Sequence, residues 1–535
     1  MRKKEIARKF LPILVAACFA ASVFSACKPN GPDGAGADKT ALQTLYGEVK
    51  DTERNGYGAE PWTAFVAALN AAAAVLDDAG ATQQEIDAAR GALLAAFNAL
   101  APSEPEGVIT TAAQLAAIQL DGDYVLGADL TLTGFTPLGS GAEPFTGTLD
   151  GGGHKITSLT VNLADLTAET DEAGQNACVY AGLFAVNNGA VANLTVENLG
   201  VAGTCAVSGA TVYVGGLSGL NGGVIQNCRV SGAMNLNAGG SDAKYRGGLI
   251  AAKNSGLIGG CAAAGKIDAE STSGNARFGG IVGINEGGTV VLCAAEVDID
   301  AYSQLENIRA GGLAGQLSDG DSVIDRCYAG GGVTAVAAGE TVYAGGLIGY
   351  LDATNDVAQP NARITDSYSV GAVYVGGGGN GYAGGLIARI ENAGYVCEEI
   401  TVKNCYSAGT VTLDVTGGNR FAAGLAGRVQ RHNASSFVAV DNCFTVSDIS
   451  AAAGAATAVI KNGNAANSNT PCTVSDCFYS SALTCPQDAF KADATAVSPA
   501  GLASPSWQQS NLFWDFTAIW LTQADGFPSL RGLPI

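Results

Sequence analysis

One pattern decides what this chain can fold into: from residue 181 onward a two-part unit returns eight times, at steps of 32 to 39 residues. Its first half is Gly-Gly-Leu-x-Gly, as in Gly215-Gly216-Leu217-Ser218-Gly219, Gly279-Gly280-Ile281-Val282-Gly283, Gly311-Gly312-Leu313-Ala314-Gly315 and Gly345-Gly346-Leu347-Ile348-Gly349. Shorter copies stand at Gly247-Gly248-Leu249 and Gly384-Gly385-Leu386, and weaker ones at Ala181-Gly182-Leu183 and Ala423-Gly424-Leu425. The second half is Ile/Val-x-x-Cys, ending at Cys228, Cys261, Cys293, Cys327, Ser367, Cys405, Cys443 and Cys477. Short apolar segments with no helix-length period, returning at a regular step, predict one solenoid coil per repeat. With strands ~4.8 Å apart, about ten coils make a rod on the order of 50 Å long. The longer steps fall late and between the halves, where a loop can grow without disturbing either. Glycine is 74 of 535 residues, about twice the usual share; it serves corners with positive φ and places where coils pass too close for a Cβ. Without a G-X-Y period and with only 15 prolines, collagen is excluded. At 47% apolar and 14% charged residues the chain is not a disordered one.

The flanks extend the pattern. Ile109-Thr110-Thr111-Ala112-Ala113-Gln114-Leu115, Asp123-Tyr124-Val125-Leu126 and Gly147-Thr148-Leu149-Asp150-Gly151-Gly152-Gly153-His154-Lys155-Ile156 precede the repeats, and Trp520 with Gly526-Phe527-Pro528-Ser529-Leu530-Arg531 follows them. Together these segments resemble the GLUG-repeat family of bacterial surface proteins. The resemblance implies a mainly β chain, a right-handed parallel β-helix over 108–485 closed by a C-terminal cap at 486–535. It implies no single activity, because the repeat is carried by adhesins and by immunoglobulin-cleaving metallopeptidases alike. The peptidases need His-Glu-x-x-His for zinc. This chain has two histidines, His154 and His432, so that motif is absent. His154 reads as a residue of the Gly-rich turn.

Residues 39–101 follow a different period. Leu42, Leu45, Tyr46 and Val49 form one apolar face; Trp62, Phe65, Val66, Leu69, Ala73 and Leu76 a second; Ile86, Ala89, Leu93, Leu94, Phe97 and Leu100 a third. Thr82 with Glu85 is a capping box that starts the third helix. Three helices, each apolar on one stripe, must bury those stripes against one another. Tyr57, Trp62, Phe65, Ala68-Leu69, Val75-Leu76-Asp77 and Ala81-Thr82-Gln83-Gln84-Glu85-Ile86-Asp87 resemble the FIVAR module, a three-helix bundle found beside other domains in secreted bacterial proteins. Trp62 is a candidate sugar-stacking residue; its place on the apolar stripe favours a core role. Residues 102–107 form a short linker.

Residues 1–27 read as a secretory signal: Arg2, Lys3, Lys4, Arg8 and Lys9, then an apolar run from Phe10 to Ala26, then Cys27. Phe24-Ser25-Ala26-Cys27 resembles a bacterial lipobox, which implies lipid attachment at Cys27 and a flexible tether over 28–38. Val15-Ala16-Ala17-Cys18 fits the same motif but would leave Phe19 to Ala26 greasy on the mature chain. An ordinary cleaved signal and an uncleaved N-terminal helix are the remaining alternatives. The expected location is the extracellular face of the membrane, with the bilayer as a partner through the lipid. With 28 basic against 49 acidic residues the net charge is −21, which argues against nucleic acid as a partner.

The cysteine positions of the repeat stack into one ladder, and Ser367 marks it as small, buried packing rather than a set of disulfides. Off the ladder, Cys178 with Cys205, and Cys472 with Cys485, are plausible disulfide partners in an exported chain, as is Cys397. No motif calls for a cofactor or a metal. Two residues before each Gly-Gly-Leu stand Val179, Tyr213, Tyr245, Arg277, Arg309, Tyr343, Tyr382 and Phe421. Two arginines in a dry core would cost too much, so this column belongs on the outside. Tyr213, Tyr245, Tyr343 and Tyr382 are candidate glycan contacts, with a cation–π pair expected between Tyr245 and Arg277. A self-stacking ladder that joins coils is the preferred alternative. The leading expectation is a non-enzymatic adhesin or a binder of glycans and glycoproteins; the others are a β-helix polysaccharide lyase or glycosidase, and a plain spacer.

Overall fold

A computed structural model describes residues 37–50, 52, 59–78, 80–100, 107–170, 176–237, 242–271, 275–318, 321–353, 362–392, 399–431, 437–452, 455–462, 472–485, 494–523 and 526–534. The leader with Cys18 and Cys27, most of the tether, Tyr57, Cys397 and His432 lie outside the described residues. The chain divides into two compact units, 1–106 and 107–535.

In the first unit, helices α1 (Thr40–Val49), α2 (Ala59–Asp77) and α3 (Gln83–Asn98) share one core, built on Leu42, Phe65, Ala72, Ile86 and Leu93. The Thr82–Glu85 capping box opens α3 with both reciprocal hydrogen bonds formed. Lys39 Nζ donates to Leu76 O at 3.0 Å, placing a cation at the carbonyl end of α2. Trp62 is half-buried against the same core, its ring 5.5 Å from that of Phe65.

The second unit is a parallel β-solenoid. A representative coil runs Thr211–Gly215, Ser218–Asn221, Val224–Gln226 and Arg229–Asn237 before Lys244–Gly248 begins the next. Each segment pairs in parallel with its counterparts in adjacent coils, giving four long sheets: A (ten strands), B (nine), C (twelve) and D (sixteen). Sheet A carries the Gly-Gly segments and sheet C the Ile/Val positions. The short helix α4 (Ala112–Ala116), capped by Thr111 and Gln114, drives the fully buried Leu115 into the core near the first coils.

Inside, the ladder forms as expected: Cys228, Cys261, Cys293, Cys327, Ser367, Cys405, Cys443 and Cys477 are all buried, and the cysteines are free thiols. Ser367 Oγ accepts from Cys327 N at 3.0 Å, and Cys261 and Cys443 Sγ accept from Cys228 and Cys405 N at 3.4 Å. Burial pushes the Cys443 thiol well above its usual range. Just before each ladder residue, and before Leu194 one coil earlier, the chain turns from sheet C to sheet D through a left-handed residue: Asn193, Asn227, Gly260, Leu292, Arg326, Asp366, Asn404, Asn442 and Asp476. Asn, Asp and Gly tolerate that region best. A second internal ladder went unanticipated. Asn187, Asn221, Asn254 and Asn285 are buried in successive coils, each Nδ2 of the first three donating to the next Oδ1 at 2.7 Å.

One expectation is corrected here. Cys178 is not joined to Cys205, nor Cys472 to Cys485, by a disulfide. Cys178 packs beside Tyr180 on the outer face of sheet A whereas Cys205 belongs to the interior, so a strand wall separates that pair. The segment 486–535 supplies one closing strand, Ala494–Val497, and then does not stay over the end of the rod. It turns back through α5 (Pro499–Leu502) and α6 (Pro505–Asn511) and lies along the outside of sheet D, where Leu502, Leu512, Trp514, Trp520 and Leu530 cover Tyr368, Tyr406 and Phe444. Trp520 Nε1 donates to Asp366 Oδ1 and Trp514 Nε1 to Asn442 O, both at 2.9 Å. Farther along, Arg229 Nη1 donates to Pro534 O at 2.5 Å.

Candidate functional site: the groove between sheets A and B

Sheets A and B meet at the Gly-Gly-Leu corner with their outer faces turned toward each other. The corner has no room for side chains: a Cβ on Gly215 would stand 1.9 Å from Ser218 O, and one on Gly349 2.6 Å from Gly315 O of the preceding coil. Beyond the glycines the two walls diverge, and the side chains that line them form a groove along the solenoid.

The sheet A wall is a single register column: Tyr180, Tyr213, Arg246, Arg277, Arg309, Tyr343, Tyr382, Phe421. Two members differ from the expected column. The motif copies at 181 and 247 sit one residue out of register, because Gly182 and Gly248, not Ala181 and Gly247, align with the first glycine of the others. Val179 and Tyr245 therefore point inward. Tyr245 is a core residue, 1% exposed, its hydroxyl donating to Asn237 O at 3.2 Å and accepting from Cys205 N. It is neither a surface contact nor the partner of Arg277. Gly247 faces the interior too, making room for the Phe278 ring.

The sheet B wall presents Leu220, Lys253, Ile284, Gln316, Tyr350, Arg389 and Arg428 in register. Two residues further along each strand comes a second row, Glu286, Ser318, Asp352, Glu391 and Gln430.

At the later coils the groove is zipped shut. Tyr343 and Tyr382 stack at 4.9 Å and 12°, and Tyr382 stacks on Phe421 at 5.5 Å. Arg389 crosses from sheet B over Tyr343, Tyr350 and Tyr382, donates to Tyr343 OH at 3.0 Å and Gln430 Oε1 at 2.9 Å, and pairs with Glu391 at 2.7 Å. Arg428 repeats the move over Tyr382 and Phe421, donating to Tyr382 OH at 3.0 Å. Tyr343 and Tyr382 are consequently 8% and 3% exposed, and no sugar reaches their faces without displacing an arginine. Burial pushes the phenol of Tyr350, which donates to Glu391, far above its usual range.

In the earlier coils the arginines change walls, and the groove opens. A pocket of about 310 Å³ lies between Thr211, Tyr213, Arg246 and Arg277 on one side and Lys253, Ile284, Glu286, Gln316, Ser318 and Asp352 on the other. Tyr213 stacks on Tyr180 at 5.5 Å and 21° and lines one end. Lys253 pairs with Glu286 across adjacent coils. Glu286 and Asp352 share one row two coils apart, so their strands are roughly 10 Å apart. Of the proposed contacts Tyr213, Tyr245, Tyr343, Tyr382 and Trp62, the pocket brings in Tyr213 alone. Sequence reasoning missed Arg246, Lys253, Glu286 and Asp352; the sheet B positions could have been found by counting two and four residues past Val282 and its equivalents. His154 holds its turn, with Nδ1 3.3 Å from Asp129 Oδ1.

No family model matches the sequence. Over 105 residues the chain is 35% identical to Halomucin of Haloquadratum walsbyi, covering 19% of this chain and 1% of that one. Over 85 residues it is 34% identical to Lacto-N-biosidase of Bifidobacterium longum subsp. longum, covering 16% of this chain and 5% of that one. The chain thus spans a small fraction of either curated relative. The solved structure of a candidate immunoglobulin A1 protease from Bacteroides ovatus matches 80% of this chain and 93% of its own at 16% identity and a TM-score of 0.26.

Proposed function

We propose that this chain is a lipid-anchored bacterial surface protein of the GLUG-repeat type, with a FIVAR-like helical module, that binds glycans or glycoproteins without catalysis. The groove between sheets A and B is the binding face, and the pocket beside Tyr213 is its open section. The observation that carries this reading is the contrast within the groove: arginines close the later coils over the rings, while the earlier coils leave a polar, charged cleft with a tyrosine face at its end. Such a cleft offers hydrogen-bond donors and acceptors on both walls together with a ring for sugar stacking. Cys27 is the attachment point, and several shallow sites along a rod would act through multivalency rather than one deep affinity.

A second reading is a glycosidase, favoured by Glu286 and Asp352 on one wall of the same pocket. Carboxyl groups about 6.5–9.5 Å apart suit an inverting mechanism, and the short match to Lacto-N-biosidase leans in that direction. The discriminating experiment incubates the purified chain with mucin, plant and microbial glycans while following both retention and new reducing ends. Retention that weakens in Tyr213→Ala, without product, supports the binder. Product formation that Glu286→Gln or Asp352→Asn abolishes replaces it with the enzyme.

A further inference from the structure

Three guanidiniums are stacked where the groove passes from closed to open, without a carboxylate of their own: Arg246 and Arg277 line the pocket, and Arg309 beside them lies over the Tyr350 ring, 4.6 Å from its centroid. Arg246, Arg277 and Arg309 occupy one register position in three successive coils, so their backbones are ~4.8 Å apart. Like charges directly opposite on neighbouring strands are destabilising, and Arg246 is only 6% exposed. Arg246 donates to the carbonyls of Tyr245 (3.0 Å) and Asn275. Arg277 Nε and Arg309 Nη1 converge on a single acceptor, Gln316 Oε1, the latter at 2.9 Å. Arg309 Nε is buried without a hydrogen-bond partner. Among the described residues none of the three forms an ion pair, whereas Arg389 a few coils on has Glu391. Across the pocket Glu286 is taken by Lys253, which leaves the Asp352 carboxylate facing the guanidiniums of Arg246 and Arg277.

The electrostatic cost is concentrated on the middle arginine. Burial first, then the like charges of Arg246 and Arg309, push Arg277 down to about 8, against the opposing pull of Tyr213 and Asp352. Burial brings Arg246 down to about 10. A guanidinium keeps its proton under almost all conditions, so this strain is relieved by an incoming negative charge rather than by losing a proton. The chain's net charge of −21 opposes anions at long range, but salt screens that repulsion beyond about 8 Å and leaves the pocket to decide.

We infer that Arg246 and Arg277, with Arg309 stacked behind them, form a subsite for the oxyanion of an acidic saccharide, a carboxylate or a sulfate ester. The inference rests on the glycan-binding reading and narrows it to charged sugars. Arginine forks grip such groups through two parallel N–H···O bonds, stronger than neutral ones. With the acid group on the stack, Thr211 and Tyr213 at the same mouth are placed to meet the sugar ring.

The test uses the full chain with three saccharides at matched ionic strength: tetragalacturonate, its methyl ester, and a 6-sulfated galactoside. The acid and the sulfate ester are expected to bind at least about tenfold more tightly than the methyl ester. Arg277→Met and Arg246→Met erase that preference, Arg277→Lys keeps part of it, and Arg363→Met, an exposed arginine of sheet C, leaves it unchanged. Should the pocket variants unfold, the wild-type chain still answers: sodium sulfate competes with tetragalacturonate and not with the ester. Equal binding of acid and ester overturns the anion subsite and leaves the glycan reading standing. Binding of inorganic sulfate that depends on Arg277, with no saccharide retained, supports the anion site and overturns the glycan reading instead. Absence of both overturns both.

Discussion

On sheet D, Tyr368, Tyr406 and Phe444 stack at 4.7 and 4.8 Å, nearly parallel, and vanish beneath Trp514 and Trp520. On sheet A, Tyr343, Tyr382 and Phe421 stack at 4.9 and 5.5 Å and lie beneath Arg389 and Arg428. The stacking is the same in both places and fastens one coil to the next. What covers the rings differs: on the flank the apolar C-terminal segment seals them, while in the groove guanidiniums do so from the facing wall. An aromatic column is therefore no sign of a ligand by itself. The sign is the place where the cover stops, and in the groove it stops past Arg309, where Arg246 and Arg277 line the open pocket.

The comparison breaks most decisively at Trp520, which is fully buried and tied to Asp366. Trp520→Ala should cost about 3–5 kcal/mol and expose the C-terminal segment to limited proteolysis; an unchanged melting temperature and digest would mean the flank column needs no cover. Arg389→Ala tests the other cover. It leaves Glu391, 12% exposed in its side chain, without its guanidinium, at an expected cost of about 2–4 kcal/mol, and opens Tyr343 and Tyr382 to solvent. Gain of saccharide binding in that variant would place stacking sites beneath the zipper.

Both columns sharpen together at high pH. Burial raises the phenols of Tyr343 and Tyr368 above their usual range, so the folded state keeps protons that the unfolded chain gives up. That stability is intact below about pH 10 and drains away as pH rises above it. Absorbance at 295 nm should show these tyrosines ionising only as the chain unfolds. In the interior the effects shrink. Asn221→Ala strands Asn187 Nδ2 and Asn254 Oδ1 and should cost about 1–3 kcal/mol. Cys261→Ser should cost only about 1 kcal/mol, since Ser367 already fills the same ladder and donates to Thr365 O at 2.7 Å; denaturant titration checks both.

Repetition explains which parts were readable beforehand. Gly-Gly-Leu and Ile/Val-x-x-Cys mark a corner and a buried strand that every coil must make, and the capping box of α3 is a local bargain between four residues. The one-residue slip at 181 and 247 was hidden because Ala181-Gly182-Leu183 and Gly247-Gly248-Leu249 satisfy the motif in either register. Only the strand's alternation, with Tyr245 inward and Arg246 outward, decides between them. The asparagine ladder had a signal that was passed over, an Asn one or two residues before Gly at 187, 221, 254 and 285. The pocket was legible only in part: its sheet B positions follow by counting from Val282 and its equivalents, but that two strands of each coil face each other across a corner is stated by no spacing along the chain.

The tail along sheet D has a consequence for how this molecule comes apart. A stack of coils held only by nearest neighbours behaves as a one-dimensional array and frays from its ends. Here the contacts between the tail and sheet D run from Phe478 back to Arg229, across seven coil steps or roughly 34 Å. Peeling off the last coils thus also means lifting the tail from coils far up the rod. The early coils can form and stack as the chain emerges, but the stack is locked only when its final residues arrive, and from then on it melts as one cooperative body rather than unravelling coil by coil.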